Sequence, residues 1–309
     1  MKKIILLTTL ASFIALSFSS SDQNFISLFN GRDLTNWRLQ KPSGFEVVDG
    51  ELITRSSGAG NDILSEKQYG NFILRFEFLL SEVGNSGVFI RQNPSVKNSG
   101  FEVQLLAPWT PWRDDLHCTG SLYGHVAVTN RPDETTGRWY KMEINCDRNL
   151  ITVSVNDEAT TIADIDTVKT MAGMPFTGFI GFQGNHAEKA GQFAKFRNIR
   201  IRDLDVEPDY VAEGLRNKNP ELRSLSRISA VNLGPVMIEP MSIMMSGDDP
   251  MAKSEAKQAL FDIVAKVSAP GVPAEEKKEV KNAIKKTIKK TSSEITANYL
   301  EWISGMIRK

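Results

Sequence analysis

Near residue 205 the hydrophobic repeat of this chain changes, and that change limits the fold more than any single motif. From Phe25 to Asp205, apolar residues alternate with polar ones in short runs broken by Gly, Asn and Asp, the period of strands with one buried face. Phe72, Leu74, Phe76, Phe78 and Leu80 share one face of such a run; Ile73, Arg75, Glu77 and Leu79 share the other. Phe101, Val103 and Leu105 alternate with Glu102, Gln104 and Leu106 in the same way. Met142, Ile144 and Cys146, then Ile151, Val153 and Val155, give two more strands joined through Asp147, Arg148 and Asn149. Asp49-Gly50 is a tight hairpin signal, because both residues tolerate the positive φ that such turns need. Many short strands at regular spacing predict a mainly β fold, a jelly-roll β-sandwich of two sheets, over residues 22–205.

Beyond Asp205 the period becomes helical, which predicts a small all-α domain over residues 206–309. Asn219-Pro220 sets an N-cap with proline at the first helical position, followed by Leu222, Leu225, Ile228, Ser229 and Leu233 at helical spacing. Gly234-Pro235 breaks that helix, and a second apolar segment runs from Val236 to Met245 with a bend or late start at Pro240. Asp249-Pro250 repeats the start signal before Ala256, Ala259, Leu260, Ile263 and Val264; Pro270 and Pro273 close the helix. A basic amphipathic segment follows from Ala274 to Arg308. This helix, Pro break and helix order resembles a HEAT-type repeat over two degenerate units. Lys277, Lys278, Lys281, Lys285, Lys286, Lys289 and Lys290 are either a docking surface for a protein partner or the solvated face of a helix, partly balanced by Glu275, Glu276 and Glu279.

Met1, Lys2 and Lys3 precede an apolar run from Ile4 to Phe18 that ends in Ser19, Ser20 and Ser21. This reads as a secretory signal over residues 1–21, with an uncleaved N-terminal anchor as the alternative. The expected setting is exported, periplasmic or secreted, with no membrane span in the mature chain because no later stretch looks long and apolar enough. The 37 basic residues equal the 37 acidic ones, so the chain lacks the field that nucleic acid rewards, and no nucleic-acid partner is expected. In an oxidising setting Cys118 and Cys146 could pair; the competing reading makes both buried small hydrophobes.

No Gly-rich phosphate loop, HExxH, paired CxxC or GxSxG occurs, so nucleotide, zinc-protease and esterase chemistry have no support. What remains is polar residues on strand faces. Glu102 and Gln104 sit two apart on one face, roughly 7 Å along the strand. If Val88 and Ile90 face the core, Arg91 falls with Glu102 and Gln104 on the other face and makes a polar binding floor. Trp109, Trp112, Tyr123, His117, His125 and His186 surround it, and aromatic rings beside polar groups suit sugars. Competing readings make Glu102 and Arg91 a surface ion pair, Asn85 a turn residue, and Trp37 and Trp139 core residues.

The ordered set Leu28-Phe29-Asn30-Gly31-Arg32-Asp33-Leu34 with Trp37, Asn85-Ser86-Gly87-Val88-Phe89-Ile90-Arg91, Gly100-Phe101-Glu102-Val103-Gln104, Thr119-Gly120-Ser121-Leu122-Tyr123-Gly124 and Phe196-Arg197-Asn198-Ile199 resembles the 3-keto-disaccharide hydrolase family. The resemblance spans roughly Phe25 to Asp205. It implies a concanavalin-like lectin/glucanase jelly roll, export, and action on glycosides oxidised at the sugar C3; members fused to HEAT-like helices also occur. It further implies a route in which a base removes the C2 proton, the enolate expels the anomeric oxygen, and water adds back. Under that implication Glu102 acts as base or orients one, and His186 or Tyr123 donates the proton. Asn85, Arg91, Gln104, Trp109, Trp112, His117 and Arg197 hold the glycoside or oligosaccharide substrate. A divalent cation could stabilise the enolate in place of Arg91, with ligands that the sequence does not place. The rivals are a non-catalytic carbohydrate-binding module on the same fold and an interaction protein acting through its helices.

Overall fold

The protein is described by a computed structural model over residues 24–41, 44–54, 61–109, 113–184 and 191–307. The expected signal segment, Trp112 and His186 lie outside the described residues. Within them the alternating runs become β1 (Ile26–Ser27), β2 (Trp37–Leu39), β3 (Phe45–Val48), β4 (Glu51–Thr54), β5 (Ile63–Tyr69), β6 (Phe72–Leu80), β7 (Asn85–Gln92), β8 (Phe101–Leu106), β9 (Tyr140–Asp147), β10 (Leu150–Val155), β11 (Glu158–Asp164), β12 (Gly178–Phe182) and β13 (Ala194–Asp203). The larger sheet runs β11-β10-β9-β6-β13-β4-β3, with β1 also on β13, and the smaller runs β2-β5-β12-β7-β8. The pairings are antiparallel, as in a jelly-roll sandwich. Asp49 (φ 52°) and Gly50 (φ 83°) make the β3–β4 turn that their pairing predicts.

β6 alternates strictly between buried and half-buried residues, so Phe72, Leu74, Phe76, Phe78 and Leu80 face the smaller sheet. Phe182 of β12 crosses the gap, with its ring 4.4 Å from that of Phe196 and 5.5 Å from that of Phe76. Val88, Ile90, Phe101, Val103 and Leu105 fill the same core from the smaller sheet. Trp37 is buried and donates from Nε1 to the Leu28 carbonyl at 3.0 Å. Trp139, expected in the core, is instead half-buried just before β9 with the Arg197 guanidinium 4.0 Å over its ring. Cys118 and Cys146 are both free and buried, the small-hydrophobe alternative.

The helices are α1 (Pro208–Gly214), α2 (Pro220–Leu233), α3 (Ile238–Ser246), α4 (Pro250–Ser268), α5 (Ala274–Ile288) and α6 (Glu294–Gly305). Asn219 and Asp249 cap α2 and α4 by accepting from backbone N–H groups of the first turn. The basic C-terminal segment is two helices, because Ser293 caps a new start. Pro240 is tolerated in the first turn of α3, where its missing N–H has no intrahelical acceptor. α3 touches α1, α4, α5 and α6, so these helices form a cluster with α3 at its centre.

Pro220–Ser246 is long and apolar enough to cross a membrane by length and composition, which corrects the expectation that no later stretch is. Here it folds back on the protein. Gly234 takes φ 64°, a short 3-10 turn separates α2 from α3, and Ala230, Met237, Ile238 and Met241 are buried in the helical core.

The helices also reach the sandwich. Leu222 of α2 joins the sandwich's core cluster and Leu225 packs against it. Tyr210 of α1 donates to Asp147 Oδ1 at 2.6 Å while the Arg148 guanidinium lies 4.3 Å over its ring. Asp205 accepts from the Asn71 backbone N–H at 2.9 Å and from its Nδ2 at 2.7 Å.

Candidate functional site

The smaller sheet turns its second face away from the sandwich core. Val88 and Ile90 point inward, so Asn85, Gly87 and Phe89 of β7 point outward. β8 pairs with β7 in the register Phe89↔Glu102 and Gly87↔Gln104, which places Glu102 and Gln104 on this outer floor. β12 adds Phe179 and Gly181, and Gln183 just beyond its end bonds through its backbone N–H to the Gly87 carbonyl at 2.8 Å.

Glu102 is the centre of the arrangement. Its carboxylate lies across Gly87, where a Cβ would sit 2.2 Å from Oε1, so only glycine leaves room for it. Gln183 Nε2 donates to Glu102 Oε1 at 2.7 Å. Burial, and then the charge of Asp62, push the Glu102 carboxyl from its ordinary 4.5 up to about 7, against the Gln183 hydrogen bond. Asp62 is held in place by the Gly184 N–H, which donates to its Oδ1 at 3.0 Å. Asn85 Oδ1 and Gln183 Oε1 are buried acceptors without a donor among the described residues. Together with the Glu102 carboxylate they offer a ligand several acceptors and suit one rich in hydroxyl donors.

The chain after β8 returns along the free edge of that strand. Gln104 N–H donates to Ser121 O at 3.1 Å and Tyr123 N–H to Glu102 O at 2.9 Å, on either side of an antiparallel Val103↔Leu122 bridge. That register puts Tyr123 opposite Glu102, on the same face and roughly 5 Å away between Cβ atoms. Tyr123 is exposed, and His117 packs edge-on against it at 4.8 Å between ring centres. His117 Nδ1 lies 2.7 Å from Asp114 Oδ1. The loop is anchored by Glu134, which pairs with Arg113 and accepts from the Thr119 N–H at 3.0 Å. Gln104 is buried on the floor, and its Oε1 accepts from the Leu105 N–H at 3.2 Å. Trp109 is half-buried just past the end of β8 and packs on the sandwich core.

Two expected members of the site are elsewhere. Arg91 should continue the outer series Asn85, Gly87 and Phe89, but it adopts φ 52°, and a left-handed residue breaks the alternation of a strand. Gly178 packs against this distortion so closely that a Cβ there would lie 2.3 Å from the Arg91 carbonyl carbon. The Arg91 side chain is fully buried, and it donates from Nε to Gly70 O at 3.0 Å and from Nη2 to Arg148 O at 2.8 Å. The Glu102–Arg91 pairing is therefore absent, whether as a floor or as a surface ion pair. Arg197 belongs to β13 of the larger sheet, where its neighbour Phe196 fills the core, so Arg197 points away from the sandwich and donates to Glu77 Oε2 at 2.7 Å.

Conversely, Asp62 and Gln183 were not anticipated. Both lie in strand-end segments far from Glu102 in sequence and reach it only through the β5-β12-β7-β8 order. Phe179 was also missed, although its alternation with Ile180 marked it as outward once the latter is placed in the core. Among the described residues no group of three or more His, Cys, Asp or Glu side chains converges as a ligand set for a metal ion.

Residues 24–202 match the 3-keto-alpha-glucoside-1,2-lyase-like domain family. A 3-keto-disaccharide hydrolase from Bacteroides thetaiotaomicron is 24% identical over 233 residues, covering 59% of this chain and 79% of the relative. Two crystal structures of candidate glycosyl hydrolases from Parabacteroides distasonis are similar to the sandwich. One superposes with a TM-score of 0.51 at 25% identity, over 58% of this chain and 98% of that one. The other gives 0.50 at 23% identity, over 59% and 95%.

Proposed function

The chain belongs to the 3-keto-alpha-glucoside-1,2-lyase-like domain family, and on that premise we propose that it cleaves the glycosidic bond of glycosides oxidised at C3. The observation that carries the reading is Glu102, a carboxyl held on the sheet floor with its pKa raised to about 7. A general base works best when its pKa lies near the working pH, and an ordinary carboxylate is far weaker. The ketone at C3 acidifies the C2 proton. Glu102 takes that proton, the C2 electron pair forms the enolate, and collapse of the enolate breaks the C1–O bond to release the alcohol. Tyr123, opposite Glu102 on the same face, is the candidate to protonate the leaving oxygen. Water then adds at C1 and a proton returns to C2, giving net hydrolysis. Asn85 and Gln183 accept from sugar hydroxyls, the role that their free buried oxygens fit.

A second reading has a specific observation behind it. Asp62 is close enough to Glu102 to raise its pKa, so two carboxylates share the floor, as ordinary glycosidases require. One experiment separates the two: incubation with matched 3-keto and ordinary glycosides in deuterium oxide, with product analysis by mass spectrometry and NMR. Cleavage of the 3-keto substrate with deuterium incorporated at C2 supports the elimination route. Cleavage of ordinary glycosides with no label at C2 supports the two-carboxylate route and refutes the proposal. Binding without cleavage of either leaves the carbohydrate-binding module.

A further inference from the structure

The outer floor does not end at Glu102. It continues along β12 to Phe179, four residues from Gln183 and therefore about 13 Å away. Phe179 is paired on either side with Gln68 of β5 and Gln92 of β7. Phe89 and Phe179 are half-buried between the two ends, and the exposed Arg38 lies 5.1 Å over the Phe179 ring. At the Phe179 end the floor opens, through Gln68 and Gly178, into a cleft of 870 Å³.

The composition of this cleft is informative. Gln68, Asn93, Asn98 and Asn219 contribute amides, and half-buried Met174 and Pro175 contribute an apolar wall. Lys97 stands against Asp166 and Glu221, so no one sign of charge dominates. Amides with an apolar wall and little net charge select a neutral polyhydroxyl ligand, which takes hydrogen bonds from the amides and lays C–H groups on the wall. The volume is within the range of small-molecule sites. Asn219 and Glu221 belong to the start of α2, so the helical region supplies one side of the cleft.

We infer that this cleft is a distal saccharide-binding site, and that the substrate class is an oligosaccharide running from Glu102 over Phe89 and Phe179 into the cleft beside α2. The inference rests on the glycoside reading for its substrate class. A disaccharide seated at Glu102 does not reach the cleft; longer chains do. The helices thereby act as a wall that measures substrate length.

The test uses the full chain with a ladder of gluco-oligosaccharides from disaccharide to pentasaccharide, each unoxidised and C3-oxidised. Binding is measured by calorimetry and turnover by product analysis. The expected result is a gain of about tenfold in affinity, and in 1/KM on the oxidised series, between disaccharide and the longer chains. Ala172→Trp, at an exposed residue lining the cleft, should remove that gain and leave disaccharide turnover unchanged. Gln68→Ala, also at an exposed position, should reduce the gain and guards against a folding defect in the tryptophan variant. Disaccharide turnover with no chain-length gain, or a gain untouched by both variants, overturns the distal site while the proposed function stands. A chain-length gain in binding that Ala172→Trp removes, with no turnover of any oxidised sugar, supports the distal site and sinks the catalytic reading instead.

Discussion

Glu102→Gln should make the protein inactive and, above neutral pH, more stable. The magnitude follows from the pKa difference between the buried carboxyl and the same group in the unfolded chain. Folding raises it from 4.5 to about 7, and one pKa unit is worth about 1.4 kcal/mol, so the buried carboxylate costs about 3 kcal/mol once it is fully ionised. The sign is that of an acid whose folded pKa is raised. Below pH 4.5 both states carry the proton and the cost is absent. Between pH 4.5 and 7 the unfolded chain releases the proton before the folded one does, and stability falls as pH rises. Above pH 7 the loss is complete. Glutamine keeps the shape and can still accept from Gln183 Nε2 without carrying a charge. Denaturant unfolding of both proteins from pH 4 to pH 8.5 should give curves that coincide at the acid end and separate by about 3 kcal/mol at the alkaline end. In a thermal scan that is roughly 6 to 12 °C for a unit of this size. Turnover of 3-keto glycosides should vanish in the same variant. Curves that run parallel across the whole range would refute the claim that Glu102 is a strained buried acid, and with it the basis for calling it the base.

Gly87→Ala should abolish turnover while both sheets still form, because the added methyl occupies the place of Glu102 Oε1; circular dichroism with an activity assay checks it, and native activity would exclude the observed carboxylate position. Val103→Asp should unfold the sandwich, since Val103 is fully buried beside Glu102 on the opposite face, and an unpaired charge there costs several kcal/mol; soluble, cooperatively folding protein would invalidate the face assignment. Leu222→Ala should cost about 2–5 kcal/mol in denaturant unfolding and should loosen the sandwich signal as well as the helical one, because Leu222 lies in the sandwich core cluster; a sandwich transition that stays put would mean that α2 only rests on the surface.

The parts of this architecture that were readable in advance share a local cause. The run from Phe72 to Leu80 alternates because one face is dry, and the capping pairs at Asn219-Pro220 and Asp249-Pro250 act within a single turn. Glu102 and Gln104 share a face because a strand carries its facing rule with it, whereas Tyr123 comes opposite Glu102 through a bridge that no facing rule supplies. Arg91 was misplaced by the same rule, since nothing in the residue type announces a positive φ. Asp62 and Gln183 were invisible for another reason: their closeness to Glu102 is a property of strand order, and that order brings together residues more than thirty positions apart. Gly234-Pro235 breaks the long helical run through a local backbone preference, whereas the run's summed length and apolar composition, which meet the measure of a membrane span, show only when its two halves are taken together.

The segment that returns along β8 does more than close an edge that would otherwise invite another strand. It hangs Tyr123 from a backbone bond to β8 with His117 packed on its ring, while its anchors, Glu134 with Arg113 and the Thr119 N–H, and the Gly120 carbonyl accepting from Thr161 Oγ1 of β11 at 2.8 Å, lie apart from those two rings. Changes of residue within that excursion can therefore alter what faces the carboxylate without disturbing the register of either sheet. The site is thereby divided into a floor fixed by sheet register and a rim fixed by the side chains of the β8–β9 excursion, so that one can be altered without the other.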